Sequence, residues 1–205
     1  MAAIVGVSMQ TKTSRCSAKC THAGVTVIEL LVTLSIMVIL LTVALPGFSE
    51  LMAETRRVAS VNQLVGALNM ARSEAIKRGV RVTLCKSADP DATTPACAPG
   101  AAWNQGWLVF VDNTHVAGNL LGVIDGTDQL LRVVAPTAGL TITAGSHYAR
   151  GLFYEANGVI WGINSGGNRT VGNDTFRLTS NDVRLCVTVN LIGRPSVRKQ
   201  GQDAC

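Results

Sequence analysis

The chain has 205 residues, 47% of them hydrophobic and 15% charged, with 20 glycines, six cysteines and a formal net charge of +5. That length holds one sizeable domain and an accessory arm, and a Gly-rich second half broken into short apolar runs points to sheet. Bulk charge gives no case for a nucleic-acid partner, because Lys12, Arg15 and Lys19 precede the first apolar segment and their removal leaves only about +2.

Residues 1–24 read as a basic leader. Nothing in residues 1–8 carries a recognisable signal, so Met9 is an alternative start to Met1. Cys16, Cys20 and His22 have metal-binding side chains, but they lie in the piece expected to be discarded in the cytoplasm.

Residues 25–45 read VTVIELLVTLSIMVILLTVAL, with Glu29 as the one ionisable side chain. At ~1.5 Å per residue this run covers roughly 30 Å, the thickness of a bilayer's hydrocarbon core. The basic residues before it predict that the N-terminal end stays in the cytoplasm and that the rest is exported across the inner membrane to the periplasm in a single pass. An ordinary secretory leader has a shorter apolar region and a small-x-small cleavage site, and Ala44-Leu45-Pro46 is a poor one. A carboxylate inside such a segment costs about 2.5 kcal/mol or more unless it is paired or reaches the interface. No basic residue in the segment pairs with Glu29, so its partner has to come from another molecule.

Pro46-Gly47 should weaken or kink the helix. Beyond it Leu51, Val58, Val61, Leu64, Val65, Leu68 and Ala75 recur at helical spacing, and Lys77-Arg78-Gly79 is a stop with basic residues in the last turn and glycine as the cap. The predicted organisation is a leader over 1–24, a membrane and filament-core helix over 25–47, an amphipathic half over 48–79 and a periplasmic β-rich domain over 80–205.

Strands are predicted at 80–85, 107–111, 130–134, 140–143, 176–178 and 184–190. Residues 152–154 and 159–161 flank Asn157-Gly158, the clearest hairpin signal in the chain. Long breaker-rich loops fill 87–102 and 113–126. The fold that buries both the helical stripe and one face of the antiparallel sheet is α+β, a roll with Trp103 and Trp107 as core residues.

Ala23-Gly24-Val25-Thr26-Val27-Ile28-Glu29-Leu30-Leu31-Val32 resembles the prepilin signature of type IV pilin-like proteins, with valines where the family carries phenylalanine at the first mature position and leucine at the third. The resemblance implies cleavage after Gly24 by a prepilin peptidase, methylation of the new Val25 amine by the same enzyme, and a meeting of Glu29 with the N-terminus of a neighbouring subunit. Such a pair is better viewed as a register device than as a large source of stability, because desolvation cancels much of the attraction. Residues 69–85, Trp103 and residues 106–112, followed by Gly193-Arg194, are similar to the FimT and GspH group of minor pilins and pseudopilins. That likeness implies a low-abundance subunit of a tip or priming complex, with other pilins or pseudopilins and the inner membrane as partners and no cofactor.

Without the leader four cysteines remain, Cys85, Cys97, Cys186 and Cys205, with three connectivities open. Nearness in sequence favours Cys85 with Cys97 and Cys186 with Cys205, and the lack of a short C-x2-C or C-x4-C spacing argues against a metal site. No nucleotide-binding, zinc-protease or serine-hydrolase motif is present, and His115 and His147 are the only histidines after the leader. Asp112, Asp125 and Asp128 lack the spacing of a calcium-binding loop. Catalysis is therefore not expected.

Two roles follow, a minor pilin of a type IV pilus and the minor pseudopilin H of type II secretion. The basic C-terminus and the cysteine pairs favour the first. In the resembling pilus subgroup a glycine-arginine motif with a second arginine two residues on is associated with DNA binding. Here Gly193-Arg194 is kept, the next arginine is Arg198, and Arg184 and Lys199 complete the candidate DNA-binding set on an extended tail.

Overall fold

The computed structural model describes residues 24–113, 120–170, 173–180 and 183–199, with the side chains of 43–47 set aside. Residues 1–23 of the leader, His115 and Cys205 lie outside the described residues. The chain divides into two compact units, Met1–Leu45 and Pro46–Cys205.

The α-helix of the described residues, α1, runs over Val27–Arg78. Its first turn is capped by Thr26, whose hydroxyl accepts the Glu29 N–H at 3.3 Å. It ends as the sequence predicts, with Lys77 and Arg78 in the last turn and Gly79 at φ 68° donating to the Ala75 carbonyl. The helical backbone continues through Pro46 and Gly47, where the two units meet. One missing donor is a local loss in a helix with many flanking hydrogen bonds.

In the first unit the helix exposes its large apolar side chains all round, from Val25 to Leu41. The hydroxyls of Thr33, Ser35 and Thr42 turn back onto the carbonyls of Leu30, Leu31 and Ile39 at 2.8–2.9 Å, so these polar groups need no outside partner. Among the described residues no helix is long and apolar enough to cross a membrane.

In the second unit α1 buries Val61, Leu64, Ala67, Leu68, Ala71 and Ala75, positions three and four apart on one face. Leu51 and Val58, predicted in that stripe, lie outside the core at 62% and 43% exposure. The core reaches the helix only at about Arg57, itself 3% exposed, which donates to the Ser180 carbonyl at 3.1 Å and pairs with Glu54.

Among the described residues ten strands form two antiparallel sheets rather than one set. The first has six strands in the order β3 (Gln129–Val134), β2 (Trp107–Val111), β1 (Val82–Lys86), β5 (Gly151–Tyr154), β6 (Ile160–Ile163) and β7 (Arg169–Thr170). The second has four, in the order β10 (Pro195–Lys199), β9 (Val183–Val189), β8 (Asp174–Ser180) and β4 (Thr141–Ala144). The short β7 and the last strand, β10, were not predicted. The stretch read as an extended tail instead pairs in register with β9, Pro195 opposite Val189 and Lys199 opposite Leu185.

Val82, Leu84, Trp107, Val109, Leu152 and Tyr154 of the first sheet meet the α1 face and Phe176, Leu178 and Val187 of the second in one core. The other face of the first sheet carries a small second cluster of Cys85, Leu108 and Phe110, packed by Cys97 and Ile124. The Cys85–Cys97 disulfide, with Cα atoms 5.6 Å apart, pins the loop above it. Lys86 Nζ bonded to the Pro99 carbonyl and the Ser87 hydroxyl bonded to that of Ala96 fasten the same loop.

Asp112, at the end of β2, is the one fully buried carboxylate of this face among the described residues. Burial pushes its carboxyl above the ordinary range, opposed by donors from Gly122 N–H at 2.9 Å and the Thr83 hydroxyl at 2.8 Å and by the charge of Arg81. Its second oxygen is buried without a partner. A raised folded-state value means that the folded protein holds the proton more tightly than the unfolded chain. This group therefore favours folding most below the unfolded value and loses that contribution as pH rises through the raised folded one. Asp112→Asn keeps an acceptor for both donors and removes the buried charge. Thermal melts should show the variant roughly 1–3 °C more stable at pH 7, with the gap closing toward about pH 4. A variant less stable than the parent at pH 7 would mean that the carboxylate is held ionised by a partner.

Candidate functional site

Two regions hold the residues singled out by sequence. In the N-terminal arm, Gly24 and Val25 precede the first turn of α1 and Glu29 lies exposed at its third helical position. Thr26 and Glu29 have the Thr-x-x-Glu spacing of a capping box, and the half of it in which Thr26 accepts the Glu29 N–H is formed. Among the described residues nothing pairs with the Glu29 carboxylate. The contribution of Thr26 was missed at the sequence level, although the spacing announced it.

The second region is the β9–β10 hairpin. Its turn closes through Gly193 N–H to the Asn190 carbonyl at 2.8 Å, Asn190 N–H to the Arg194 carbonyl at 3.2 Å and Arg194 N–H to Asn190 Oδ1 at 2.8 Å. Gly193 sits at φ 76°, and a Cβ there would lie 2.6 Å from the Tyr154 ring and 2.8 Å from the Gly158 carbonyl oxygen. The buried Tyr154 hydroxyl donates to the Gly193 carbonyl at 3.2 Å, and burial raises that phenol, keeping it a donor. Arg72 on α1 donates to the Gly158 carbonyl at 3.3 Å. Gly193 of the Gly-Arg pair is thus a packing and turn residue that locks the hairpin to the β5–β6 turn and to the helix.

The four basic residues expected to act together are dispersed. Arg194 is exposed at the hairpin turn. Lys199 points the other way from Arg198 along β10, and its charge, after that of Arg57, helps hold the Glu54 carboxyl on α1 below its ordinary range. Arg198 and Arg184 share the face of the second sheet turned away from the core, with an arginine that sequence reasoning missed, Arg177 on β8. The register aligns Arg177, Cys186 and Arg198 across three strands and sets Arg184 opposite Thr179. The alternation Thr175-Phe176-Arg177-Leu178-Thr179 could have found Arg177, had the strand been drawn to its full length. Threonine and serine fill the other positions of that face, and among the described residues no carboxylate stands on it. Neighbouring strands are about 4.8 Å apart, so Arg177 and Arg198 flank Cys186 at roughly 10 Å. Cys186 is itself disulfide-bonded, and Cys205, expected as its partner, lies outside the described residues.

The three aspartates considered for a cation act as loop fasteners. Asp125 accepts the Leu120 N–H, while Asp128 accepts those of Asn113 and Asp125. Among the described residues no group of three or more histidine, cysteine, aspartate or glutamate side chains is placed to hold a metal. His147 Nδ1 lies 3.0 Å from the Thr170 hydroxyl, and Trp103 and Trp107 are both buried in the core.

The family described as type II transport protein GspH matches residues 60–193. Two crystal forms of the type IV minor pilin FimU of Pseudomonas aeruginosa are similar to the chain. One is 20% identical over 68% of this chain and 90% of that one, with a TM-score of 0.45. The other is 18% identical over 73% and 90%, with a TM-score of 0.47. No curated protein matches significantly.

The two halves of the Gly-Arg pair should separate in stability measurements. Gly193→Ala meets both an unfavourable φ and the Tyr154 ring, and denaturant unfolding should show a loss of ~1–3 kcal/mol. Arg194→Ala should stay within about 0.5 kcal/mol of the parent. Equal losses would show that the arginine is structural too.

Proposed function

The chain belongs to the GspH family, and we propose that it works as a minor pilin-like subunit of a type IV pilus, anchored in the inner membrane by the first half of α1 and carrying its β-rich domain in the periplasm. The observation that carries this reading is the N-terminal arm. Among the described residues it is a helix with apolar side chains exposed on every side, hydroxyls satisfied by their own backbone, and one charged side chain, Glu29, without a partner. A surface of this kind is soluble only in lipid or among other such helices. Residues 1–24 are then the leader removed by a prepilin peptidase, and Val25 supplies the methylated amine that a neighbour's Glu29 meets in the filament. No cofactor enters this role. Secretion through a type II pseudopilus is the alternative assignment of the same architecture, and loss of twitching or of secretion on deletion distinguishes the two.

The outer face of the second sheet supports a further part of the proposal, DNA contact during uptake. Arg177, Arg184 and Arg198 with threonine and serine hydroxyls offer donors suited to phosphates, and they replace the tail first expected to carry this role. Arg194 adds a separate charge at the hairpin turn, and Lys199 beside Glu54 adds none to this face.

Mass spectrometry of the mature protein should show cleavage between Gly24 and Val25 with a methylated Val25. Glu29→Ala should keep that N-terminus and insert normally, yet fall at least tenfold in recovery from sheared filaments or in cross-linking to filament partners. A mature chain still carrying Lys19, or undiminished incorporation of the variant, counts against the subunit reading.

Duplex DNA binding by the full chain in detergent should weaken with salt. Changing Arg177, Arg184 and Arg198 together to glutamine should lower the log–log salt slope by roughly 2–3, while Lys199→Gln leaves it unchanged. Absence of salt-sensitive binding in the parent removes DNA from the proposal.

A further inference from the structure

At the β9–β10 turn the two central positions are Leu191 and Ile192, 52% and 55% exposed. Turn centres favour glycine, asparagine, aspartate or proline, and aliphatic pairs there have no local conformational reason. Ile76, near the end of α1, is 51% exposed and reaches the Gly158 turn, where its Cδ1 would stand 2.8 Å from a Cβ. Gly158 in turn adjoins Gly193, so the three aliphatic side chains belong to one end of the second unit, held in place by the Tyr154 hydroxyl and the Arg72 guanidinium. A groove of about 340 Å³ opens beside them between Asn173, Asn190, Leu191 and Ile192.

We propose that this patch is a docking surface for an amphipathic helix of a neighbouring subunit, one that brings an apolar stripe with carboxylates beside it. The proposal rests on the subunit reading above. The charge around the patch selects the occupant: Arg194 and Arg72 border it, while the acids near it are already engaged, Glu155 by Arg169 at 3.0 Å, Glu74 by Arg78, and Asp174 by the backbone N–H groups of His147 and Tyr148. Apolar contact at the centre with complementary charge at the rim is the usual anatomy of a specific interface. The chemistry required is what α1 of this chain itself displays uncovered at the start of the second unit, where Phe48, Leu51 and Met52 are exposed beside Glu50 and Glu54. Glu54 is engaged by Arg57, which leaves Glu50 as the carboxylate that segment offers. Subunits built alike therefore carry the plug at one end of the domain helix and the socket at the other. From residue 51 to residue 76 the helix advances roughly 37 Å, and that is the axial offset the contact sets between the two subunits it joins.

The test is photocross-linking of the full-length chain in its own cells, with a benzophenone amino acid at Ile192 and, separately, at Leu34 as a control in the arm. The expected product at 192 is a peptide from another subunit's helix that contains at least one carboxylate, with a yield reduced fivefold or more by Arg194→Glu. A second copy of this chain linked through residues 48–58 satisfies the proposal. A product from a sheet or loop segment overturns it, as does no product at 192 while position 34 still cross-links. Silence at both positions removes the subunit reading and this inference with it.

Discussion

The burial of one face of α1 in the core it shares with both sheets governs the second unit. Ala67, Ala71 and Ala75 recur every four residues on one face and are fully buried, so at those points the helix brings little side-chain volume of its own to the core. The bulk of the core comes from the strands, where Trp107, Tyr154 and Phe176 are fully buried in the same cluster as the alanines, Leu64 and Leu68. Trp103 sets its edge against the Phe176 ring at 5.0 Å, with Tyr148 stacked at 5.5 Å on that ring. A larger residue at any of the three alanine positions would have to displace side chains of a core that the helix shares with both sheets.

That shared core explains why distant turns are coupled. The β5–β6 turn, the β9–β10 turn and the last helical turns meet through backbone carbonyls: Gly158 receives Arg72, and Gly193 receives Tyr154. Both glycines adopt positive φ, and a Cβ on Gly193 would stand 2.8 Å from the Gly158 carbonyl oxygen. At the opposite flank Arg57 ties α1 to the end of β8 through the Ser180 carbonyl. The hairpins are thereby fastened to the helix at two separate heights along its buried length.

Much of this was legible because it follows local rules. The apolar run, the lone Glu29, the Lys-Arg-Gly stop and the Asn-Gly hairpin are written in contiguous residues, and period and composition suffice to read them. The misreadings come from non-local causes. Leu51 and Val58 keep the helical period, but the sheets do not extend to them, and no window of sequence contains that fact. β10 escaped because Pro195 and two basic residues look like a solvated tail, and only pairing with β9 makes a strand of them. Arg177 went unnoticed for the same reason: its place beside Arg198 is a product of register across Cys186, and register is set by the sheet.

The composition of β10 has a consequence for how copies of this molecule avoid one another. The outer margin of a sheet offers unpaired backbone groups to any other strand, and a protein that is to be concentrated in one place is the more exposed to such errors. Among the described residues β10 is one margin of the second sheet, and it begins with a proline, which has no N–H to offer, and ends in Arg198 and Lys199, whose like charges oppose a matching strand. At the far margin of the first sheet, β7 is only two residues long. Lateral strand pairing is discouraged at both of these margins, so copies of the molecule held side by side do not readily merge their sheets there.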